Sequence, residues 1–418
     1  MKTTPVKGTN DFSPRESEIR DYLQQTILEV YRRYGFERIV TPILEDAENL
    51  DKSEGGDNLN LVFKILKRGE KLQEALGAAQ EKELSDLGLR YDLTLPLCRY
   101  VANNRGKLIQ PFKVIQMGTV YRAERPQKGR LREFMQCDID IIGTSSFAAE
   151  VELLYVIAQT LLAIQIHGFT IRLNDRRVLK ALLLDMGFAE DTLDSVCISF
   201  DKLDKIGAGA VAQELTDKGF PSSAIEAFSA FLAKGSFDLG SLMARLPGNE
   251  AAQNLEKILA VSQSLAKAQA KGDPHRAYEV VFDPSLVRGQ GYYTGTVFEV
   301  VSDQFSGSIA GGGRYDNLIG KFIREDVPAV GISIGFERIF SILMAQEFQI
   351  PGEKPKTALL YDSKDLEAAF LEAERLREHY AVTLLETPKK LGPFLNRLKE
   401  KGFEGFLSLG EERVRPLN

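Results

Sequence analysis

The sequence predicts an α+β fold in which a helical segment separates two β-rich segments and a small α/β domain follows. Three observations carry this prediction. Residues 1–170 and 276–350 combine helices with strand-like runs of β-branched residues, residues 171–275 are alanine-rich and helical, and residues 351–418 alternate strand and helix. A chain of 418 residues suits several domains of about 100–200 residues each, so we expect domain boundaries at these positions.

Composition excludes several classes of protein. A chain with 44% hydrophobic and 27% charged residues is typical of a soluble globular protein and not of a disordered one. No apolar run reaches ~18 residues, and the first five residues lack the core of a signal peptide, so we expect a cytoplasmic protein without a membrane span. The three cysteines and three histidines are scattered, which predicts no disulfide framework, no protein-bound metal and no His-based triad.

The first element is a helix with clear start and stop signals. Ser13–Glu16 forms a capping box with proline at the first helical position, and Gly35 ends the helix. Its apolar residues recur at helical spacing, at Ile19, Leu23, Ile27 and Val30. A single strand is expected over 36–45, with Pro42 at an edge or a bulge.

A long β-hairpin with an arginine-rich connection comes next. The apolar runs 112–121 and 134–142 predict two strands, and five of the twelve residues from 121 to 132 are Lys or Arg. Because alternate residues of a strand share a face, the pattern predicts that Arg130, Arg132, Phe134 and Gln136 point the same way. Arginine binds phosphate through two parallel hydrogen bonds, and an aromatic ring stacks on a base. A solvated basic loop is the alternative, and the shared face favours a binding site.

Three glycine-containing segments follow the helical segment in the sequence. Residues 286–295 contain the pair Tyr292 and Tyr293, and packing tyrosines or ligand-binding tyrosines are equally open interpretations there. Residues 310–316 contain three glycines, and 331–338 form a strand-to-helix turn that ends on Arg338, where a phosphate could bind. The sequence contains neither a phosphate-loop motif nor a dinucleotide-binding fingerprint.

Taken in order, these motifs resemble the class II aminoacyl-tRNA synthetases, and within them the histidyl-tRNA synthetase family, over residues 5–345. The first helix and the strand with Pro42 resemble motif 1, residues 121–136 motif 2, and residues 331–338 motif 3. Residues 286–295 and 311–316 resemble the two histidyl signature peptides. The resemblance implies an antiparallel sheet core flanked by helices, a helical insertion domain, a shortened anticodon-binding-like C-terminal domain and a homodimer.

The resemblance also implies roles for individual residues. Those expected to bind ATP, which carries Mg²⁺, are Arg122, Glu124, Arg130, Arg132, Phe134 and Arg338. Those expected to bind histidine are Asp92, Thr94, Arg122, Gln136, Asp140, Arg288, Tyr292 and Tyr293. Arg122, Arg288 and Arg338 are expected to stabilise the charge that develops on phosphate during catalysis.

The implied activity is that of a histidine–tRNA ligase, with L-histidine, ATP and tRNA(His) as substrates. The alternative is a non-catalytic protein that resembles the regulatory subunit of ATP phosphoribosyltransferase. That family typically loses the ATP-binding arginines, and all of them are present here. We therefore expect the enzyme.

Overall fold

The computed structural model describes residues 1–53, 61–78, 84–126, 130–200, 202–233, 238–287 and 292–417. The chain divides into two compact units, residues 1–346 and residues 347–418. The helices of the first unit are α1 (Pro14–Arg33), α2 (Ala47–Ser53), α3 (Glu70–Ala78), α4 (Thr94–Asn104), α5 (Ala148–Ala163), α6 (Arg176–Asp185), α7 (Leu193–Phe200), α8 (Leu203–Asp217), α9 (Ser222–Ala233), α10 (Leu239–Arg245), α11 (Glu250–Gly272), α12 (Gly320–Ile323) and α13 (Phe336–Ala345). Its strands are β1 (Glu37–Arg38), β2 (Leu44–Asp46), β3 (Lys64–Leu66), β4 (Ser85–Leu89), β5 (Phe112–Tyr121), β6 (Glu133–Ile142), β7 (Phe169–Asp175), β8 (Glu279–Phe282), β9 (Thr296–Ser302), β10 (Phe305–Arg314) and β11 (Ala329–Gly335).

A large sheet forms the centre of the first unit. Within the described residues it has eight strands in the order β1-β5-β6-β11-β10-β9-β7-β8. The six inner strands are antiparallel to one another, while β1 pairs with β5 and β8 with β7 in parallel at the two edges. The predicted antiparallel core flanked by helices is confirmed, with one parallel strand added at each edge.

Helix α1 begins and ends where the sequence predicts. The Ser13 hydroxyl accepts a hydrogen bond from the Glu16 N–H, and the Glu16 carboxylate accepts one from the Ser13 N–H at 2.7 Å. Gly35 follows the helix with φ +78°, a conformation that favours glycine. The predicted apolar positions Ile19, Leu23, Ile27 and Val30 are all buried.

The prediction of a single strand over residues 36–45 is wrong. The chain forms two short strands in different sheets, since β1 pairs with β5 and β2 pairs with β4. Pro42 lies between them and has no N–H to continue a ladder. The Arg90 guanidinium holds the crossing segment, because it donates to the carbonyl of Thr41 at 3.0 Å and to that of Thr119 at 2.8 Å.

The β5–β6 hairpin is confirmed, and its register sets which residues face the site. Gln136, Asp138 and Asp140 alternate along β6, and their partners on β11 are Gly335, Ser333 and Gly331. Side chains two apart along a strand share a face, so these three residues of β6 project to the same side of the sheet.

The helical segment predicted after the hairpin is also present. Helices α6–α11 follow β7, and the last of them, α11, packs against α5, β7 and β8. The Gln263 side chain donates to the Val280 carbonyl at 2.9 Å and fixes α11 on the edge strand β8.

The second unit is a small α/β fold. Its elements are β12 (Lys356–Tyr361), α14 (Leu366–Arg377), β13 (Ala381–Glu386), α15 (Leu391–Glu400), β14 (Gly405–Ser408) and β15 (Arg415–Pro416). The sheet has the order β13-β12-β14-β15, with three parallel strands and an antiparallel β15 that the sequence did not indicate. In the part of the chain that the structure describes, no helix has both the length and the apolar character needed to cross a membrane.

Candidate functional site

A cavity of about 990 Å³ opens on one face of the large sheet. Its walls come from β6, β10 and β11, from the segment after β5, and from the tyrosine pair before β9. Cavities for small ligands span ~300–1,000 Å³, so this one is large enough for more than one substrate. Of the predicted site residues, ten line it: Thr94, Arg122, Glu124, Arg130, Phe134, Gln136, Asp140, Tyr292, Tyr293 and Arg338.

Arg122 is held between two aromatic rings. Its guanidinium carbon lies 4.2 Å from the centroid of the Tyr91 ring and 5.1 Å from that of the Phe134 ring. Its Nε also donates to the Tyr91 carbonyl at 3.3 Å. The ring faces attract the cation and fix its plane, while the remaining N–H groups stay available for an anion.

The entrance to the cavity carries a second arginine with a carboxylate. The Arg130 guanidinium lies 3.5 Å from the Glu124 carboxylate, and half of the Arg130 side chain is exposed. The Glu124 side chain is only 17% exposed, so the pair is open to solvent on its arginine side, where a ligand phosphate can reach Arg130.

Arg132 is not brought to the cavity. Its Nε donates to the Glu124 carbonyl at 3.1 Å, and its backbone N–H donates to the Gly8 carbonyl at 2.8 Å. The predicted shared face holds for Phe134 and Gln136, but the β6 ladder begins only at Glu133. The strand alternation therefore does not extend back to Arg132.

Arg338 reaches the cavity from the first turn of α13. Its guanidinium donates to the carbonyl of Ser308 and to the hydroxyl of the same residue at 3.1 Å. The ring centroid of Phe305 lies 5.8 Å from the guanidinium carbon. Arg338 is thus fixed against β10. Arg288, the third predicted arginine, lies outside the described residues.

Asp92 lies behind the wall and not in it. Its Oδ1 accepts hydrogen bonds from the N–H groups of Thr94 and Leu95, both at 3.1 Å, at the start of α4. Burial raises the pKa of Asp92, while the Leu95 N–H and the Arg122 charge act in the opposite direction. Asp92 therefore orients Thr94, which does line the cavity.

Asp140 is a buried carboxylate on the floor of the cavity. The Tyr315 hydroxyl donates to its Oδ1 at 2.6 Å. Burial raises the pKa of Asp140 to about 7, and the Tyr315 hydrogen bond opposes part of that shift. A Cβ at Gly331 would lie 1.8 Å from the same oxygen, so only glycine leaves room for this carboxylate.

Tyr292 and Tyr293 combine the two roles, packing and ligand contact, between which the sequence did not decide. The rings of Tyr292 and Tyr293 are 4.9 Å apart and tilted by 60°, and Tyr292 also contacts Tyr315 at 6.1 Å. Tyr293 packs in the core, with 8% of its surface exposed. Both residues also line the cavity, so packing and ligand contact are compatible here.

Sequence reasoning missed further residues of the wall, among them Asp138, Ser333 and Glu299. Asp138 lies between Gln136 and Asp140 on the same face of β6, so the alternation of the strand would have found it. Ser333 lies on β11 and Glu299 on β9, with β10 between them, and only the pairing of these strands into one sheet brings both residues to the site.

Arginines from a hairpin and from a strand-to-helix turn thus face one antiparallel sheet. Class II aminoacyl-tRNA synthetases carry their motifs 2 and 3 in this arrangement, and the fold and the site assign the chain to that class. The family model described as histidyl-tRNA synthetase matches residues 8–339. The histidine–tRNA ligase of Leifsonia xyli is 40% identical to this chain, in an alignment that covers 96% of this chain and 94% of that protein. The chain belongs to the histidyl-tRNA synthetase family.

Solved structures show the same architecture. The crystal structure of histidyl-tRNA synthetase from Nostoc sp. PCC 7120 superposes with a TM-score of 0.77 at 28% identity, over 97% of this chain and 91% of that one. A Bacillus halodurans structure titled ATP phosphoribosyltransferase regulatory subunit/histidyl-tRNA synthetase gives a TM-score of 0.76 at 20% identity, over 99% of this chain and all of that one. The latter likeness concerns the fold alone, so it does not favour the regulatory-subunit alternative.

Proposed function

We propose that the protein is a histidine–tRNA ligase. In the first step the carboxylate of L-histidine attacks the α-phosphorus of MgATP, the bond from that phosphorus to the bridging oxygen breaks, and pyrophosphate leaves. In the second step the 3′-terminal ribose hydroxyl of tRNA(His) attacks the carbonyl of the adenylate, and AMP leaves. One observation carries the proposal. A single cavity combines guanidinium groups suited to a polyphosphate, at Arg122 and Arg338, with the buried carboxylate of Asp140, suited to an amino-acid cation.

The arginines and Phe134 form the ATP side of the proposed site. Arg122, fixed between two rings, binds the α-phosphate together with the carboxylate of histidine. Phe134 stacks on adenine, with Glu124 and Arg130 at the adenine end, and Arg338 binds the γ-phosphate. Arg132, anchored to the Glu124 carbonyl, supports this end of the hairpin from behind.

The floor of the cavity forms the histidine side. Thr94, Gln136 and Asp140 offer oxygen atoms to the α-ammonium group, and Asp92 supports them by orienting Thr94. Tyr292 and Tyr293 flank the imidazole. Arg288 is proposed to lie opposite Arg122 across the α-phosphate.

Catalysis in this proposal rests on position and charge. The histidine carboxylate is already a nucleophile, so the reaction requires no general base. Guanidinium groups and the Mg²⁺ of MgATP stabilise the charge that develops on the phosphate oxygens. Both reactants bound in one cavity also remove the entropic cost of bringing them together during the reaction.

The remaining partners belong to the same proposal. We infer a cytoplasmic homodimer that binds tRNA(His) through a local basic surface, because the net charge of the chain is −6. The arginine-rich segment 122–132 supplies part of that surface. The C-terminal domain, residues 351–418, contains 12 Lys and Arg against 12 Asp and Glu, so anticodon recognition there would depend on particular residues and not on bulk charge.

The test is histidine-dependent exchange between ATP and pyrophosphate in the presence of Mg²⁺. The purified protein is expected to catalyse exchange with histidine and not with other amino acids. Arg122→Ala is expected to lose about 10²–10³-fold in rate, as for the loss of one charge-stabilising donor. Arg375→Ala, a change at a 62% exposed arginine on α14, is the matched control and should be unaffected. A folded protein without exchange would contradict the proposal and support the non-catalytic alternative.

A further inference from the structure

The cavity wall contains a buried carboxylate, that of Asp138, to which the proposed function assigns no role. Asp138 lies on β6 between Gln136 and Asp140, and its strand partners are Gln116 on β5 and Ser333 on β11. Only 5% of its surface is exposed, and it contributes to the cavity wall. A carboxylate this deeply buried generally has a specific charged or hydrogen-bonding partner.

Asp138 has one satisfied and one unsatisfied oxygen. The Ser333 hydroxyl donates to the carboxylate, while Oδ1 is buried without a hydrogen-bond partner. The neighbouring Gln136 is in the same state, because its Oε1 is also buried without a partner. Two unsatisfied acceptors thus occur on adjacent inward positions of one strand.

Ser333 connects the two side chains. Its oxygen lies 3.5 Å from the Gln136 amide nitrogen, which donates to it, and its own proton goes to Asp138. This relay uses the Ser333 proton and one Gln136 N–H, and it leaves an acceptor oxygen on Gln136 and one on Asp138 unpaired. The complementary ligand group therefore carries at least two N–H bonds.

The negative charge around Asp138 favours a ligand group that is a cation as well as an N–H donor. Asp138 feels the negative charges of Asp140 and Asp92, and the positive charge of Arg122 opposes them. Burial in the first place, and then the Asp140 charge, raise the pKa of Asp138 well above its usual range. A ligand cation at this position would offset both effects.

We propose that Asp138 is a specificity-determining residue that accepts a hydrogen bond from the α-ammonium group of the amino-acid substrate, alongside Gln136. The inference rests on the proposed function, since it adds Asp138 to Thr94, Gln136 and Asp140, the acceptors proposed for the ammonium group of histidine. It predicts that Asp138 distinguishes an amino acid from the same molecule without its amino group.

The experiment compares two ligands on two proteins. L-Histidine and 3-(imidazol-4-yl)propionate, which lacks only the amino group, are titrated calorimetrically into the wild-type protein and into Asp138→Asn. Asn keeps the shape of the side chain and removes its charge. Asp138→Asn is expected to bind histidine about 10- to 100-fold more weakly, as for the loss of a charged hydrogen bond, and to bind the propionate as the wild type does.

Two further variants keep the test decisive. Asp191→Asn changes an exposed aspartate of the helical segment and should bind both ligands as the wild type does. If Asp138→Asn does not fold, Ser333→Ala removes the hydroxyl that holds the carboxylate, and it should weaken histidine selectively but less. Thermal unfolding of each variant establishes that it is folded.

The outcomes separate this inference from the function on which it rests. A wild-type protein that does not bind histidine would contradict the proposed function. A wild type that prefers histidine over the propionate, with Asp138→Asn unchanged for both, would overturn the role of Asp138 alone. An equal loss for both ligands would also overturn it, because a merely structural residue does not sense the amino group.

Discussion

Arg20 and Glu337 form a two-point ion pair across 317 residues of sequence. The two contacts are 2.5 Å and 2.9 Å long, and the two side chains are only 12% and 14% exposed. The same carboxylate accepts a hydrogen bond from the Met135 N–H at 3.2 Å. Glu337 therefore joins α1, β6 and α13 one residue before Arg338. The Arg20 guanidinium also lies 3.9 Å from the centroid of the Phe12 ring, which fixes it from outside.

Removing Arg20 should weaken both the fold and the ATP side of the site. Arg20→Ala leaves a largely buried carboxylate without its partner, so we expect a loss of about 3 kcal/mol in the free energy of unfolding. Because Arg338 follows Glu337 on the same turn, KM for ATP should rise more than KM for histidine. Urea denaturation and exchange kinetics measure the two effects. Arg15→Ala, at a half-exposed arginine of the same helix, should change stability by less than about 0.5 kcal/mol.

Asp140 should make stability depend on pH. Its pKa is about 7 in the folded protein against 3.8 as the ordinary value, so the folded state binds more protons than the unfolded chain in that window. The contribution of Asp140 to the free energy of unfolding therefore falls as pH rises from 3.8 to about 7, by as much as about 4 kcal/mol. Above pH 7 this contribution no longer changes with pH. Urea denaturation between pH 5 and pH 8 tests this. Asp140→Asn should show a smaller decrease, because the raised pKa values of Asp92 and Asp138 remain, and parallel curves for the two proteins would contradict the assignment.

Phe134 should act on ATP more than on histidine. A ring that stacks on a base contributes about 1–3 kcal/mol, so Phe134→Leu should raise KM for ATP by about 5- to 150-fold. It also removes one of the two rings that hold Arg122, so kcat should fall as well. Histidine binding measured without ATP should weaken less than ATP binding, because Arg122, which also binds the histidine carboxylate, keeps the Tyr91 ring. Phe370→Leu, at a 53% exposed ring of α14, is the matched control. A rise in KM for histidine alone would argue against the adenine assignment.

Local signals predicted the elements that depend on local chemistry. The capping box at Ser13 and the glycine after α1 act within a few residues, so the helix appears where expected. The hairpin β5–β6 follows from two strand-forming runs with a polar connection, and its strand alternation predicted that Phe134 and Gln136 face one side. The same alternation would also have predicted Asp138.

Contacts between distant segments could not be predicted in this way. The sequence around Pro42 predicts a single strand with an edge or a bulge at the proline, but the change from one sheet to another depends on β4, which follows about 40 residues later. The Arg20–Glu337 pair depends on the packing of α1 against α13, for which neither helix carries a local signal. Arg132 turned away from the cavity because the segment around Gly8 covers it, and no periodicity reports that contact.

Arg288 should act on the reaction far more than on histidine binding. The proposed role is to stabilise charge on the α-phosphate in the transition state, so Arg288→Ala should lose orders of magnitude in adenylation while the dissociation constant for histidine changes little. Single-turnover adenylate formation and calorimetry measure the two quantities. An unchanged rate would reject this role, and an equal loss of binding would assign Arg288 to the ground-state complex.

Gly331 should be required for the position of Asp140. A Cβ there would lie 1.8 Å from the Asp140 oxygen, so Gly331→Ala forces the carboxylate or the β6–β11 ladder to move. The Tyr315–Asp140 hydrogen bond cannot survive a displacement of this size, and we expect histidine affinity to fall at least tenfold. Gly209→Ala, on α8 with open space around its Cβ position, is the matched control and should leave affinity unchanged. If Gly331→Ala bound histidine normally, Asp140 would not be a direct ligand, because its oxygen cannot keep its present position beside the new methyl group.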